Sequence, residues 1–163
     1  MVSTEASKVT VTVLTDDTVA STRFIAEHGV SILVEWSHGR RWLVDTGTTD
    51  VFLENAKRLG VSLDNLDGIA ITHGHDDHTG GLTFYPRLKG NPPVYGHPYL
   101  WHKSYQIRPG QPVRVTGMPY LARKHAFAAF RPVNGVVRLD DGLFFFTDIE
   151  RAPGSFAPVA GNF

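Results

Sequence analysis

Four candidate metal ligands fall within six residues of this sequence, one residue after the apolar run 69–71. They are His73, His75, Asp77 and His78. Imidazole nitrogen and carboxylate oxygen suit zinc at about 2.0–2.2 Å, and manganese and iron accept the same donors. A polar cluster of this density costs free energy unless a cation occupies it. The spacing therefore predicts a metal site.

The spacing within residues 73–78, here called the metal loop, predicts a pair of metal ions. His73 and His75 are two residues apart, so in an extended segment they share a face and can bind one ion. Asp77 and His78 follow a turn, and we expect them to bind a second ion. Two metals about 3.5–4 Å apart form a hydrolytic arrangement, because together they clamp the substrate and generate hydroxide at neutral pH.

The elements around the loop predict a layered α/β architecture. Strands are predicted at 30–36, 41–44 and 69–72, a hairpin turn at 37–40, and a helix at 48–59 with N-cap residues at its start and Gly60 at its end. The order strand, helix, strand implies a crossover connection. Gly74 and the pair Gly80-Gly81 are expected to give the loop the backbone freedom for a tight turn.

Asp45 directly follows one of these strands. A carboxylate at a strand end can accept a hydrogen bond from a metal-bound histidine and so orient it without touching the metal. The alternative is that Asp45 only caps a loop through its own backbone. We favour the first interpretation.

The other histidines lack the spacing of a ligand set. His97 follows a short strand at 93–95, so it either lines a substrate pocket or has a local structural role, and the sequence favours neither. His38 lies in a turn, and His102 and His125 are expected to be surface or packing residues.

Further elements flank this region. Residues 8–14 alternate Val9, Val11 and Val13 with threonines, which predicts a half-buried strand. A helix is predicted from Tyr99 to Tyr105. More strands are predicted at 113–115, 136–137 and 143–146.

Length and composition narrow the class of protein. The chain has 163 residues and balances 16 basic against 16 acidic residues, so we expect one domain at 1–150, an irregular tail at 151–163, and no nucleic acid or membrane as the main partner. It has no cysteine, and we see no apolar signal core and no membrane-spanning run. These features predict a cytoplasmic protein that acts on a small-molecule substrate.

The loop resembles the His-x-His-x-Asp-His signature of the metallo-β-lactamase superfamily. The segments 26–35, 43–47 and 52–60 are similar to the branch that includes dihydropterin ribofuranosyl-aminobenzene phosphate synthases. The resemblance implies a metallo-β-lactamase-like αββα sandwich with two zinc ions, in which Asp45 lies beneath the metal loop. It also implies a second half of the fold. That half gives one further histidine to each zinc ion and one aspartate that bridges the two ions.

That second half is the part of the pattern that the sequence lacks. Asp140, Asp141 and Asp148 are available carboxylates, but their spacing recommends none of them as the bridge. We therefore expect the N-terminal half to two-thirds of the fold, with loose metal binding and slow catalysis. The concentration of Phe144, Phe145 and Phe146 predicts exposed apolar surface, and hence a homo-oligomer or a partner that completes the fold.

The resemblance and the loop together predict a metal-dependent hydrolase that acts on a small ester, phosphoester or related metabolite. A metal-bound hydroxide would attack, and Asp77 would both bind metal and transfer protons. The alternatives are a transferase of the dihydropterin synthase type and a metal-binding fragment without catalysis.

Overall fold

The computed structural model describes residues 8–140 and 142–149. Its strands are β1 Val9–Thr15, β2 Ser31–Trp36, β3 Arg41–Val44, β4 Gly68–Ala70, β5 Val94–Gly96, β6 Tyr105–Gln106, β7 Arg114–Val115, β8 Phe130–Pro132, β9 Val136–Asp140 and β10 Leu143–Phe146. Its α-helices are α1 Val51–Leu59, α2 Asp76–Thr79 and α3 Tyr120–Ala126, and 3-10 turns cover Gly80–Arg87, Pro98–Trp101 and Phe127–Ala129. The predicted tail at 151–163 lies outside the described residues.

A six-stranded sheet in the order β1-β2-β3-β4-β5-β8 forms the frame of the described chain. The first three strands are antiparallel, and β3, β4, β5 and β8 run parallel to one another. A parallel pair needs a crossover, and α1 provides it between β3 and β4. The predicted α/β architecture is confirmed.

One face of the sheet packs against the helices. Leu33, Leu43 and Ile69 are paired neighbours on successive strands and are fully buried. Phe52 and Ala56 of α1 belong to the same apolar cluster. Burial of apolar area of this kind is the main driving force for folding, so this layer holds the strand ends that carry the metal loop.

The opposite face of the sheet is covered in part by the β9–β10 hairpin. The indole Nε1 of Trp42 donates to Asp140 Oδ2 at 2.8 Å. A cavity of about 410 Å³ lies between the hairpin and sheet residues that include Val44 and Ala70. The hairpin also leaves Phe144 and Phe146 50% and 60% exposed, which agrees with the apolar surface expected from the sequence.

One of two local predictions is confirmed and the other is wrong. The strand predicted at 8–14 is present as β1, with Val9, Val11 and Val13 on its exposed side, because the apolar face that buries Leu33 is the other one. The helix predicted from Tyr99 to Tyr105 is only the single 3-10 turn Pro98–Trp101. The chain then extends to form β6, which pairs with β7.

Helix α1 starts later than the predicted residue 48. The backbone N–H groups of Thr48 and Thr49 donate instead to the Glu27 carboxylate, and Asp50 takes the N-cap position without a side-chain capping bond. Gly60 ends the helix in the left-handed conformation, as predicted. Within the described residues, no helix is both long and apolar enough to cross a membrane.

Candidate metal centre

The metal loop leaves the sheet beside Asp45. Strands β3 and β4 are parallel and end at Val44 and Ala70, so the residues that follow them lie at the same edge. The Asp45 N–H donates to the Ala70 carbonyl at 2.9 Å, which fixes the two strand ends against each other. Carboxyl ends of neighbouring parallel strands are where α/β proteins usually place binding residues.

Asp45 connects the strand end to the loop. Its carboxylate is 1% exposed, and it accepts from the Thr72 N–H at 2.8 Å and from the Thr72 hydroxyl at 2.7 Å. Its Oδ2 also lies 2.8 Å from Nδ1 of His78. A buried carboxylate needs such partners, because an unpaired buried charge is costly. The contacts are those expected of a residue that orients a metal-binding histidine.

Three of the four predicted ligands come together. His73, Asp77 and His78 each offer a ligand atom, and these atoms all lie within 4.8 Å of one another. Nε2 of His78 is 3.4 Å from Oδ2 of Asp77. Because Asp45 holds Nδ1, it is Nε2 of His78 that is available for a metal. Two imidazoles and one carboxylate are a donor set that fits zinc, with a fourth position left open.

His75 lies next to this group and also has a structural role. Its ring centroid is 4.8 Å from that of His73. It is the N-cap residue of α2, and its carbonyl accepts from the backbone N–H and the hydroxyl of Thr79. The grouping of His73 with Asp77 and His78 crosses the division between two ions expected from the sequence. That division stays a prediction.

The two best-placed imidazoles differ in their electrostatic surroundings. Partial burial, together with the neighbouring rings of His78 and His75, lowers the pKa of His73 below its usual 6.5. Burial also acts to lower the pKa of His78, but the hydrogen bond and charge of Asp45 and the charge of Asp77 outweigh it and raise that pKa above 6.5. The lowered pKa of His73 favours its neutral form, which is the form that binds metal.

Gly80 and Gly81 lie where the fold leaves no room for a side chain, and their backbone dihedral angles are not unusual. Gly80 has an ordinary right-handed conformation, with φ −60. A Cβ on Gly80 would collide with the carbonyl oxygen of Thr48, and one on Gly81 with that of Thr46 and the ring of Phe52. The expected backbone freedom is thus the wrong reason for these residues. They are glycines because the loop packs directly on the backbone after β3.

Sequence reasoning gave no role to His28, which the fold brings to the site. Nε2 of His28 is 3.6 Å from Oδ2 of Asp77, and its Nδ1 is 3.0 Å from Oδ1 of Asp17. Gly29 makes this approach feasible, because any side chain there would collide with the Asp77 carbonyl. No spacing in the sequence relates His28 to the loop, so only the folded chain could identify it.

A cavity of about 200 Å³ opens beside the metal ligands. Its lining includes His28, His75, Asp76, Asp77, Gln106, Arg114 and Thr116. The β6–β7 segment forms one wall, since the Asp76 N–H donates to the Thr116 carbonyl at 2.7 Å and Arg114 lies 3.1 Å from the Asp76 carboxylate. A polar cavity that includes a carboxylate of the metal group can admit a small substrate.

His97 has the local contacts of a structural residue. Its Nδ1 accepts from the Tyr99 N–H at 3.2 Å as the cap of the following 3-10 turn, and its Nε2 lies 3.3 Å from Asp148 Oδ1. These contacts account for both ring nitrogens. Its role in a substrate pocket stays a prediction.

The fold and the site together define a class of protein. A mixed sheet with helices on one face, and a His-Asp-His group beyond the ends of its parallel strands, is typical of a metal-dependent α/β protein. The chain belongs to the metallo-β-lactamase superfamily, whose family model matches residues 25–155. The resemblance stated from the loop sequence is therefore confirmed.

Three known proteins show how far the similarity extends. The 7,8-dihydropterin-6-methyl-4-(beta-D-ribofuranosyl)-aminobenzene-5'-phosphate synthase of Methanocaldococcus jannaschii is 35% identical over 91 residues, which are 53% of this chain and 31% of the synthase. The anti-Pycsar protein Apyc1 of Bacillus phage 010DV004 is 52% identical over 52 residues, which are 32% of this chain and 20% of Apyc1.

The third is a solved structure, that of Tm1679, described as a metal-dependent hydrolase of the beta-lactamase superfamily. It has a TM-score of 0.63 and 29% sequence identity over 82% of this chain and 46% of its own. The chain thus spans less than half the length of each of these relatives.

Proposed function

We propose that the chain is a metal-dependent hydrolase of small esters, phosphoesters or related metabolites. The observation that carries this proposal is the convergence of His73, Asp77 and His78 within 4.8 Å, with Asp45 behind His78. Similarity to a protein described as a metal-dependent hydrolase supports the reaction class. We assign zinc as the ion, with manganese and iron as the alternatives that the same donors accept.

The residues of the site have separate tasks in this proposal. His73, Asp77 and His78 hold the ion, which when bound supplies Lewis acidity and makes water a stronger acid. Asp77 also accepts the proton of the attacking water. His28 is 3.6 Å from Asp77 and its side chain is 76% exposed, so it can pass that proton to solvent. Asp45 keeps the His78 ring in one orientation and tautomer.

The second candidate is a transferase of the dihydropterin synthase type. It is favoured by the 35% identity over 91 residues to the Methanocaldococcus jannaschii synthase. The same metal group would serve either reaction. The substrates therefore distinguish the two functions, and the metal ligands do not.

The test uses the purified chain loaded with zinc or manganese. We expect slow but metal-dependent hydrolysis of a p-nitrophenyl ester or of bis-p-nitrophenyl phosphate, and loss of about 100-fold or more in kcat for Asp77→Asn, which removes both a ligand and the proton acceptor. Asp64→Asn is the matched control, because Asp64 forms an exposed ion pair with Lys89.

The outcomes separate the three functions. Product formation from a dihydropterin and an aminobenzene ribofuranosyl phosphate, without hydrolysis, would replace the hydrolase by the transferase. Metal uptake without either reaction would assign a metal-binding role.

The chain has no cysteine, which suits a reducing compartment, and we propose the cytoplasm as the location of the protein.

A further inference from the structure

Strand β1 is an outer strand of the six-stranded sheet, and it is unusually open. Among residues 8–140 and 142–149, its only strand partner is β2. Val9, Val11 and Val13 are 46%, 61% and 54% exposed. The strand contains no charged residue and no proline. An uncharged, exposed edge strand is a ready template for pairing with another strand.

The other outer strand, β8, is protected. It reads Phe130-Arg131-Pro132, so it carries a charge and a residue that cannot donate a backbone hydrogen bond. Both are common devices against pairing at sheet edges. Within the part of the chain that the structure describes, one edge of this sheet is therefore protected against pairing and the other is not.

The pairing of β1 with β2 determines which backbone N–H and C=O groups of β1 point away from β2. The Ser37 N–H donates to the Lys8 carbonyl at 2.8 Å, and the Trp36 N–H donates to the Arg40 carbonyl at 2.9 Å. Hydrogen-bonded and non-hydrogen-bonded pairs alternate along an antiparallel ladder. Thr10 and Thr12 therefore bond to β2, and the N–H and C=O groups of Val9, Val11 and Val13 point to the open edge.

The sequence of this edge is a palindrome. Residues 9–13 read Val-Thr-Val-Thr-Val, with Val11 at the centre. In an antiparallel pair of two copies centred on Val11, Val11 meets its own copy, Val9 meets Val13, and Thr10 meets Thr12. All three valine pairs use outward-pointing backbone groups, so the register satisfies the donors and acceptors that point away from β2 in both strands.

We propose that two copies of the chain associate through antiparallel pairing of β1 with β1, centred on Val11, to form one continuous sheet. A second copy is the fitting occupant because a two-fold interface must be complementary to itself, which the palindrome provides. Valine pairs and threonine pairs are favourable cross-strand neighbours, and Lys8 faces Leu14 of the other copy, so no like charges oppose. The metal centre takes no part in this contact.

A second arrangement of two copies makes different predictions. The valines could instead pack face to face between two stacked sheets, which lie about 10 Å apart. Edge pairing places the two Val11 Cα atoms about 5.5 Å apart, within the range of a disulfide, whereas stacked sheets do not. Edge pairing also protects the amide protons of Val9, Val11 and Val13 from exchange, and stacking leaves them open.

The first measurement is the mass of the full chain in solution. Pairing through one strand is a small interface, so light scattering should find a dimer of the 18.0 kDa chain near about 100 μM that dissociates near about 1 μM. Val11→Lys puts two like charges on the two-fold axis and should weaken the dimer about tenfold or more. Val113→Lys is the control, because Val113 is 60% exposed but lies outside β1.

The second measurement distinguishes the arrangements. The chain has no cysteine, so Val11→Cys introduces a unique thiol. Mild oxidation should give a disulfide-linked dimer much faster for Val11→Cys than for Val113→Cys, and amide exchange should show Val9, Val11 and Val13 protected in the dimer. A monomer at about 100 μM, a dimer that Val11→Lys leaves intact, or a dimer without the Val11→Cys cross-link would each overturn the proposal.

Discussion

Oδ2 of Asp45 lies 2.8 Å from Nδ1 of His78, although the two residues are 33 positions apart in the sequence. The same carboxylate accepts two bonds from Thr72, at the point where the loop leaves the sheet. One buried side chain thus fixes the start of the loop and the ring of a proposed ligand. The position has a cost, since Asp45 adopts φ 54, a conformation that non-glycine residues rarely take.

Asp45→Asn should weaken metal binding. An amide nitrogen in place of Oδ2 cannot accept from Nδ1 of His78, so the ring loses its fixed orientation and part of its basicity. Losses of this kind typically cost about 10–100-fold in affinity. Competition for the metal with a chromophoric chelator measures the metal affinity. Asp50→Asn is the control, because it alters an ion pair with Arg87. Unchanged affinity with cooperative unfolding would reduce Asp45 to a loop cap.

Replacing His73 and His75 together with alanine should abolish zinc or manganese uptake at the stronger site. His73 belongs to the group whose ligand atoms lie within 4.8 Å, and His75 is its neighbour. The number of ions per chain, measured by elemental analysis, tests the prediction. The single variants then show whether His75 serves the same ion or a second one. A double variant that keeps the metal content of the parent would contradict the assignment, and exposed His38→Ala is the control.

In the metal-free protein, the two histidines should titrate on opposite sides of 6.5. The pKa of His78 is raised, so its stabilising contribution is full below the unfolded value of 6.5 and is lost as pH rises through the folded value. The pKa of His73 is lowered, so its contribution is present above 6.5 and is lost as pH falls through its folded value. NMR titration of the ring nitrogens measures both. Asp45→Asn should lower the pKa of His78. A pKa of His78 below that of His73 would contradict the stabilising effect assigned to the Asp45 carboxylate.

Much of the frame could be predicted from sequence because its signals are local. Apolar runs and turn residues gave β2, β3 and β10, and Gly60 gave the end of α1. The metal loop was recognisable because its donors are packed into six residues. In each case the information lies within one segment of the chain.

The features that could not be predicted depend on contacts between segments that are far apart in the sequence. The alternation of β1 identified the two faces of the strand, but not that the valine face would be the exposed one. His28 reaches Asp77 only because the chain around Gly29 lies against the loop backbone. The start of α1 moved because Glu27, from a distant segment, binds the N–H groups of Thr48 and Thr49. Tertiary contacts of this kind override local propensity.

Gly81→Ala should destabilise the protein and weaken metal binding together. The added Cβ would meet the Thr46 carbonyl and the Phe52 ring, both fixed in the buried layer, so the loop has to move. Overpacking of this type typically costs about 1–3 kcal/mol, which chemical denaturation can measure. Gly110→Ala is the control: Gly110 has φ 73 but open space around it, so its substitution strains only a remote turn. That variant should lose some stability and keep its metal affinity. If Gly81→Ala bound metal as tightly as the parent, the position of the loop would not depend on this contact.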